Sequence, residues 1–517
     1  MNGARSVFET AASAGVELCL ANPGTTEMPL VAALDEVPEI RAVLALFEGV
    51  CTGAADGYAR MTGRPALTLL HLGPGFANGI ANLHNARRAY SPIVNLIGDH
   101  ATWHLEYDAP LTSDINSLAR PVSRWVHTSQ SSDELGTDMA AALEASLSGE
   151  RGVASLVLPA DLQAAPSGGP IRFVGPESPV AETNSIALAS MKLRDAESPI
   201  LLLGGRALRA NALPHAARIA AATGARLVSE VFPAHWERGT GLPILERMPY
   251  FPEQAIEFLA PHDAVVLAGA SKPVAFFGYE GIASELAPPG SELVAFGPEH
   301  DAAASLAAIA DALNAPAVDI ASSPPPTIPS EEPGAAITTG SLGAWLACTL
   351  PDATIVVDEG ATSSLPFSML SNGAAQHSLL SLTGGAIGQG LPVATGAALA
   401  CPTRKVVALQ ADGSGAYTLQ ALWTIAREGL DVVTILCSNR AYRILQIELA
   451  RAGVAEPGPK AQALTNLDAP PLDWCSLARG FGIPANRSVL VKTNEQLASA
   501  LERAFAEAGP HFIEVAL

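Results

Sequence analysis

The stretch ALQADGSGAYTLQALWTIAREGLDVVTILCSN, residues 408–439, lies across two apolar runs that stop abruptly, VVALQA at Asp412-Gly413-Ser414 and VVTILC at Ser438-Asn439. Short β-branched runs bounded by turn residues predict buried strands of a parallel sheet, and the Ala/Leu-rich residues between them predict the connecting helix. In such sheets ligands gather at the carboxyl ends of strands. Asp412 and Asn439 are therefore expected to converge although they are far apart in sequence. A carboxylate, an amide oxygen and nearby backbone carbonyls are hard oxygen ligands that suit Mg²⁺ carrying phosphate oxygens. Gly413, Ser414 and Gly415 leave room for phosphate at a helix N-terminus, with Ser414 as a candidate cap for a helix beginning near Ala416. Asp-Gly-Ser and Ser-Asn are also ordinary turn sequences, so these two ends alone leave both readings open.

Composition narrows the choice. The 517 residues are 49% hydrophobic and 16% charged, and at roughly 100 to 200 residues per domain the chain holds about three domains with sizeable cores. Asp and Glu number 51 against 30 Lys and Arg, a formal net charge of −21. That charge repels nucleic acid and anionic membrane surfaces and leaves small molecules as the expected partners. Cys19, Cys51, Cys348, Cys401, Cys437 and Cys475 are scattered, with no C-x-x-C pair, and read as buried reduced thiols. The opening MNGARSVFETAASAGVELCLANPG carries acidic residues inside its apolar pattern, unlike a signal peptide, and no uncharged apolar run reaches the roughly 18 residues of a membrane span. A cytoplasmic protein with no membrane and no nucleic-acid partner is expected.

Residues 165–185, APSGGPIRFVGPESPVAETNS, and 319–336, DIASSPPPTIPSEEPGAA, are rich in Pro, Ser and Gly and read as linkers. They set off three segments, residues 1–165, 186–318 and 337–517. In each, runs such as IVNLIGD, VASLVLPAD, PILLLGG, DAVVLAGA and TIVVDEG alternate with longer helical patterns. This predicts an α/β protein of three doubly wound parallel-sheet domains.

With Ala411-Asp412-Gly413, a helix, a strand and then Asn439, the chain resembles the thiamine-diphosphate enzymes of the acetolactate synthase, pyruvate oxidase and benzoylformate decarboxylase group. Their motif opens Gly-Asp-Gly, so Ala411 is a departure that leaves the ligand atoms intact. The resemblance implies that Asp412 and Asn439 bind Mg²⁺ through side chains and Ala441 through its carbonyl, with Gly413, Ser414 and Tyr442 beside the diphosphate. Residues 21–36, ANPGTTEMPLVAALDE, and the segment 45–99 resemble the family's pyrimidine-binding domain. There Glu48, between AVLALF and the small-residue helix GVCTGAADGYAR, matches the carboxylate that hydrogen-bonds the aminopyrimidine and promotes loss of the thiazolium C2 proton. Read alone, it is a helix-N-terminal Glu favoured by the dipole; the resemblance turns the reading to catalysis. In SLTGGAIGQGLPVATGAALA, residues 381–400, the resemblance places a carbonyl from about Gly385 on the pyrimidine amino group and Ile387 under the bent cofactor.

Proton-handling candidates are fewer. His71, after ALTLL and before Gly73-Pro74-Gly75, matches a catalytic histidine of the benzoylformate decarboxylases, where acetolactate synthases have a small polar residue. Thr25 in NPGTTE matches a residue that touches substrate carboxylate in the same decarboxylases. His100 and His104 in GDHATWHLEYDAPLTSD lie on the next loop and are further substrate-side candidates. A second decarboxylase histidine falls on Phe277 in VAFFGYEG. The loop YDAPLTSD differs from that of acetolactate synthases, and the Trp after their metal loop is missing from SNRAYRILQIELARAG. The middle segment opens with a strand and Gly204-Gly205, a weak nucleotide signal, and no bound flavin is expected.

The resemblance implies a thiamine-diphosphate- and Mg²⁺-dependent decarboxylase or carboligase acting on a 2-oxo acid, acetolactate-synthase-like, with an aldehyde or second 2-oxo acid as possible acceptor. Alternatives are a benzoylformate-type non-oxidative decarboxylase, a flavin-assisted pyruvate oxidase and a non-catalytic cofactor-binding subunit. Because family members bring the two outer domains together from different subunits, a homodimer or homotetramer is expected.

Overall fold

The apolar runs form the strands of three separate sheets in the computed structural model, which describes residues 1–320, 323–328 and 334–517. Residues 321, 322 and 329–333 of the second expected linker lie outside the described residues. The first sheet contains β1 (Leu18–Asn22), β2 (Arg41–Leu44), β3 (Ala66–His71), β4 (Ile93–Asp99), β5 (Trp125–Thr128) and β6 (Val153–Pro159), in the order β2-β1-β3-β4-β6-β5. From the middle segment come β7 (Pro199–Leu203), β8 (Arg226–Ser229), β9 (Trp236–Arg238), β10 (Glu246–Arg247), β11 (Ala264–Ala268) and β12 (Glu292–Phe296). All but β9 make the sheet β10-β8-β7-β11-β12. The last sheet contains β13 (Thr354–Glu359), β14 (His377–Ser381), β15 (Val406–Ala411), β16 (Val432–Ser438), β17 (Ser488–Val491) and β18 (His511–Ala516), in the order β17-β18-β16-β15-β13-β14-β9.

Every ladder is parallel except that of β9, which runs antiparallel to β14 and stitches the middle segment onto the last sheet. Along β4, β6 and β16 every residue is buried, as strands covered by helices on both faces require. Strand order reverses between β1 and β3 in the first sheet and between β13 and β15 in the last. Crevices open at the carboxyl ends of strands where the order reverses. Both of these crevices collect residues singled out in the sequence.

The helices Glu48–Thr62 and Gly390–Ala400 join the outer domains. Their small side chains let the backbones touch: a Cβ on Gly57 would stand 2.1 Å from the Val393 carbonyl oxygen, and one on Gly396 would stand 1.8 Å from that of Ala54. Arg60, near the end of the first helix, is buried together with Asp56. Its Nε and Nη2 donate to Asp56 Oδ1 and Oδ2 at 2.8 and 2.6 Å, while Nη1 donates to the Ser381 carbonyl at 2.7 Å and Nη2 to Thr383 Oγ1 at 3.0 Å. Removing one partner of a buried pair costs about 3–5 kcal/mol. Asp56→Ala is expected to lose that much, read from the denaturant midpoint; a loss below about 1 kcal/mol would show that Arg60's other partners suffice.

Candidate active site

Two clusters of side chains emerge, one at the carboxyl ends of each outer sheet. In the first, Glu48 follows β2 as the first residue of its helix and is 9% exposed. Its Oε2 accepts from Asn78 Nδ2 at 3.0 Å. His71 closes β3 and is half-buried, with Nδ1 2.8 Å from Glu27 Oε2 and 3.2 Å from Thr26 Oγ1. Both approach Gly75, where a Cβ would lie 3.1 Å from Glu48 Oε1 and 3.4 Å from His71 Cβ.

Glu27 is fully buried, and its Oε2 also accepts from the Gly24 amide at 2.7 Å while Thr26 Oγ1 donates to Oε1 at 2.6 Å. A carboxylate so placed fixes the histidine ring and puts the proton on Nδ1, which leaves Nε2 to accept or deliver one. The sequence reading missed Glu27 although it stands within NPGTTE. Thr25 is exposed on the 3₁₀ turn Thr25–Glu27 that presents this carboxylate. Asp99, at the end of β4, has its pKa raised by burial, helped by the nearby charge of Glu27. His100 follows with its amide donating to Asp99 Oδ1 at 2.8 Å and its Nε2 buried without a partner. The His104 ring sits 5.3 Å from that of His100, between exposed Trp103 and Tyr107.

The second cluster answers the opening stretch. Ala411 of β15 is in register with Cys437 of β16, so Asp412 and Asn439 leave adjacent strands side by side. Asp412 is buried, with Oδ1 accepting from the Gly413 amide at 2.8 Å and Oδ2 from the Arg440 amide at 2.6 Å. Burial pushes its pKa up, and those amides pull it back. Asn439 Oδ1 accepts from the Ala441 amide at 3.0 Å, and Arg440 between them turns with φ +56. The Tyr442 ring lies on Gly413, where a Cβ would stand 2.4 Å from its Cε1.

Ser414 does not cap a helix at Ala416, as its sequence position predicts. The turn Asp412–Gly415 is only four residues long, the next helix is Ala421–Arg427, and Ser414 Oγ turns inward to the Ala411 carbonyl at 3.2 Å and to Gln410 Nε2. Beside it, the loop after β14 presents exposed Gly385, with φ +76, and half-buried Ile387. Thr418 Oγ1 ties that loop to the Asp412 turn through the Gly388 carbonyl at 2.7 Å. Glu359, buried at the end of β13, takes the Gly388, Gln389 and Gly390 amides at 2.7, 3.2 and 2.7 Å.

Comparison with known proteins covers both clusters. The model of the thiamine pyrophosphate enzyme N-terminal TPP-binding domain matches residues 1–119, and that of the C-terminal TPP-binding domain matches residues 360–515. A Mycobacterium tuberculosis protein provisionally described as acetolactate synthase large subunit IlvX is 47% identical over 100% of this chain and 99% of its own. The chain belongs to the thiamine pyrophosphate enzymes. Benzoylformate decarboxylase of Pseudomonas aeruginosa is 30% identical over 97% of this chain and 96% of its own. Among solved structures, the thiamine diphosphate-dependent 4-hydroxybenzoylformate decarboxylase of Rhodococcus jostii RHA1 superposes with a TM-score of 0.87 at 25% identity, covering 100% of this chain and 99% of that one.

The N-terminal match of this thiamine pyrophosphate enzyme contains Thr25, Glu48, His71, His100 and His104, and the C-terminal match contains Gly385, Ile387, Asp412, Gly413, Ser414, Asn439, Ala441 and Tyr442. Among the described residues no hydrogen bond or ion pair joins Glu48 or His71 to Asp412, Asn439 or Gly385 within the chain. Nor is any helix of the described residues long and apolar enough to cross a membrane.

Proposed function

We propose that this enzyme binds thiamine diphosphate with Mg²⁺ and decarboxylates a 2-oxo acid without oxidation, and that each active site joins the Glu48 cluster of one subunit to the Asp412 cluster of another. The donor set fits the metal: a buried carboxylate whose charge burial disfavours, beside an amide oxygen, is matched by a small hard cation. Asp412, Asn439 and the Ala441 carbonyl would hold it. Gly413, Ser414 and Tyr442 would receive the diphosphate, while Gly385 and Ile387 would receive the pyrimidine half.

When bound, thiamine diphosphate supplies the carbon nucleophile and the electron sink that a 2-oxo acid needs to lose CO₂. Glu48, held by Asn78, would present its carboxyl group to the pyrimidine half and hold or release a proton there. His71, its ring fixed by Glu27, would take up a proton from solvent at Nε2 and pass it to the substrate carbon or oxygen. Thr25, His100 and His104 sit at the same strand ends, where the substrate carboxylate enters. The observation that carries the decarboxylase reading over carboligation is the Glu27–His71 pair at 2.8 Å, which orients Nε2 to take up a proton and pass it on.

A shared site is supported by the lack, among the described residues, of any hydrogen bond or ion pair from Glu48 or His71 to Asp412, Asn439 or Gly385 of the same chain, and by the apolar side chains left open around them. Leu46, Trp103, Tyr107 and Tyr417 are all exposed and follow β2, β4 and β15 at those strand ends, as surfaces that meet a second copy are. The middle domain is read as structural. At its strand-order reversal the Gly205 amide, which would face a nucleotide phosphate, already donates to Glu230 Oε1 at 2.9 Å.

The test is CO₂ and aldehyde release from a panel of aliphatic and aryl 2-oxo acids, with and without an added aldehyde acceptor. Aldehyde production that requires both thiamine diphosphate and Mg²⁺ is expected; coupled product alone would move the enzyme to the carboligases. His71→Ala is expected to cut turnover by about 10²-fold or more while cofactor C2-proton exchange stays near the wild-type rate. Near-normal turnover would leave His71 as a structural partner of Glu27.

A further inference from the structure

The loop that carries Gly385 and Ile387 is held largely from the opposite end of the chain. Asn85, fully buried near the end of the helix Leu72–Arg88, donates from Nδ2 to the Ala386 carbonyl at 2.7 Å and accepts from the Ala386 amide at 3.2 Å. One side chain thus makes with Ala386 the reciprocal pair that a neighbouring strand would make. The Asn85 carbonyl also accepts from Thr383 Oγ1 at 2.7 Å, and His84 Nε2 lies 3.1 Å from the Gly384 carbonyl. Gly384 is small for this approach: a Cβ there would stand 2.6 Å from Asn85 Oδ1 and 2.8 Å from His84 Cδ2.

Asn85 does not stand alone. It follows Asn78 and Asn82 at helical spacing on one face. Asn85 Nδ2 donates to Asn82 Oδ1 at 3.1 Å, Asn82 Nδ2 donates to the Gly49 carbonyl at 2.7 Å, and Asn78 donates to Glu48. One helix face therefore sets both the Glu48 carboxylate and the Gly385 loop, with amides that keep their charge state at any working pH.

We propose that Asn85 is a positioning residue for the pyrimidine half of the cofactor, acting through Ala386 to hold the Gly385 carbonyl and Ile387 in place. This rests on the cofactor site assigned above. Because Asn85 touches the loop and not the Asp412 motif, it separates the two halves of cofactor binding. Thiamine diphosphate needs both halves, whereas inorganic pyrophosphate with Mg²⁺ needs only the second.

The experiment titrates full-length wild type, Asn85→Ala and Gly384→Ala with each ligand in the presence of Mg²⁺, read by calorimetry. Gly384→Ala pushes the same contact apart from the loop side and decides the question where Asn85→Ala fails to fold. Loss of the two neutral hydrogen bonds between Asn85 and Ala386 is expected to weaken thiamine diphosphate about tenfold or more, with pyrophosphate within about twofold of wild type. Equal weakening of both ligands, or unchanged thiamine diphosphate in variants of a wild type that binds both, overturns the inference alone. A wild type that binds neither ligand removes the cofactor site and the inference with it.

Discussion

Asp412→Ala is expected to weaken joint binding of thiamine diphosphate and Mg²⁺ by more than about 100-fold, since even outer-shell partners of a metal are worth about 10- to 100-fold. Asp412 is the carboxylate that directly follows β15 beside the end of β16, and the backbone amides of Gly413 and Arg440 lock both its oxygens in position. Alanine removes the negative charge and frees those amides, while Asn439 can offer the metal only a neutral oxygen. Alanine relieves the burial of a charge but leaves two backbone amides without their acceptor, so the metal-free variant is expected to lose no more than about 1–3 kcal/mol of stability. Calorimetric titration checks the affinity, and the denaturant midpoint of the cofactor-free protein checks the stability. Unchanged affinity would remove the metal assignment, and a large loss of stability without cofactor would make Asp412 a structural residue.

The second large effect belongs to Glu48. Glu48→Gln keeps the volume and an oxygen for Asn78 Nδ2 but removes the ionisable group. Exchange of the C2 proton of bound thiamine diphosphate is expected to slow by about 10²- to 10⁴-fold, the range for loss of a positioned acid or base. Diphosphate affinity should stay near wild type, because Glu48 lies in the cluster that does not hold the metal. Deuterium exchange followed by NMR reads the rate directly. Exchange at the wild-type rate would reduce Glu48 to an N-terminal helix residue favoured by the dipole.

The positions of these two residues were legible because each follows an apolar strand, and strand ends are where a parallel sheet gathers ligands. The same rule placed His71 and the Asn439 turn. Glu27 was not legible as the partner of His71: the contact spans 44 positions and exists only because β1 and β3 are neighbours. Asn78, Asn82 and Asn85 show helical spacing in the sequence, yet Ala386 lies 301 positions from Asn85 and nothing local names it. Strand β9 has three residues, too few for a period to emerge, and its pairing with β14 crosses from the middle segment to the last sheet. Ser414 misled because a Ser after Asp-Gly reads as a cap, whereas its hydroxyl is drawn inward by the Ala411 carbonyl and Gln410.

In the proposed assembly the two clusters of one chain serve different sites. Glu48→Gln and Asp412→Ala chains, each inactive alone, test it when co-expressed with separate affinity tags and purified as the mixed dimer. In that dimer one site draws Glu48 from the Asp412→Ala chain and Asp412 from the Glu48→Gln chain, and is therefore intact. CO₂ release by the mixed dimer from the best 2-oxo acid of the panel is expected at about half the wild-type rate per dimer. A mixed dimer as inactive as either variant alone, while a wild-type dimer carrying the same tags is active, would contradict the shared site.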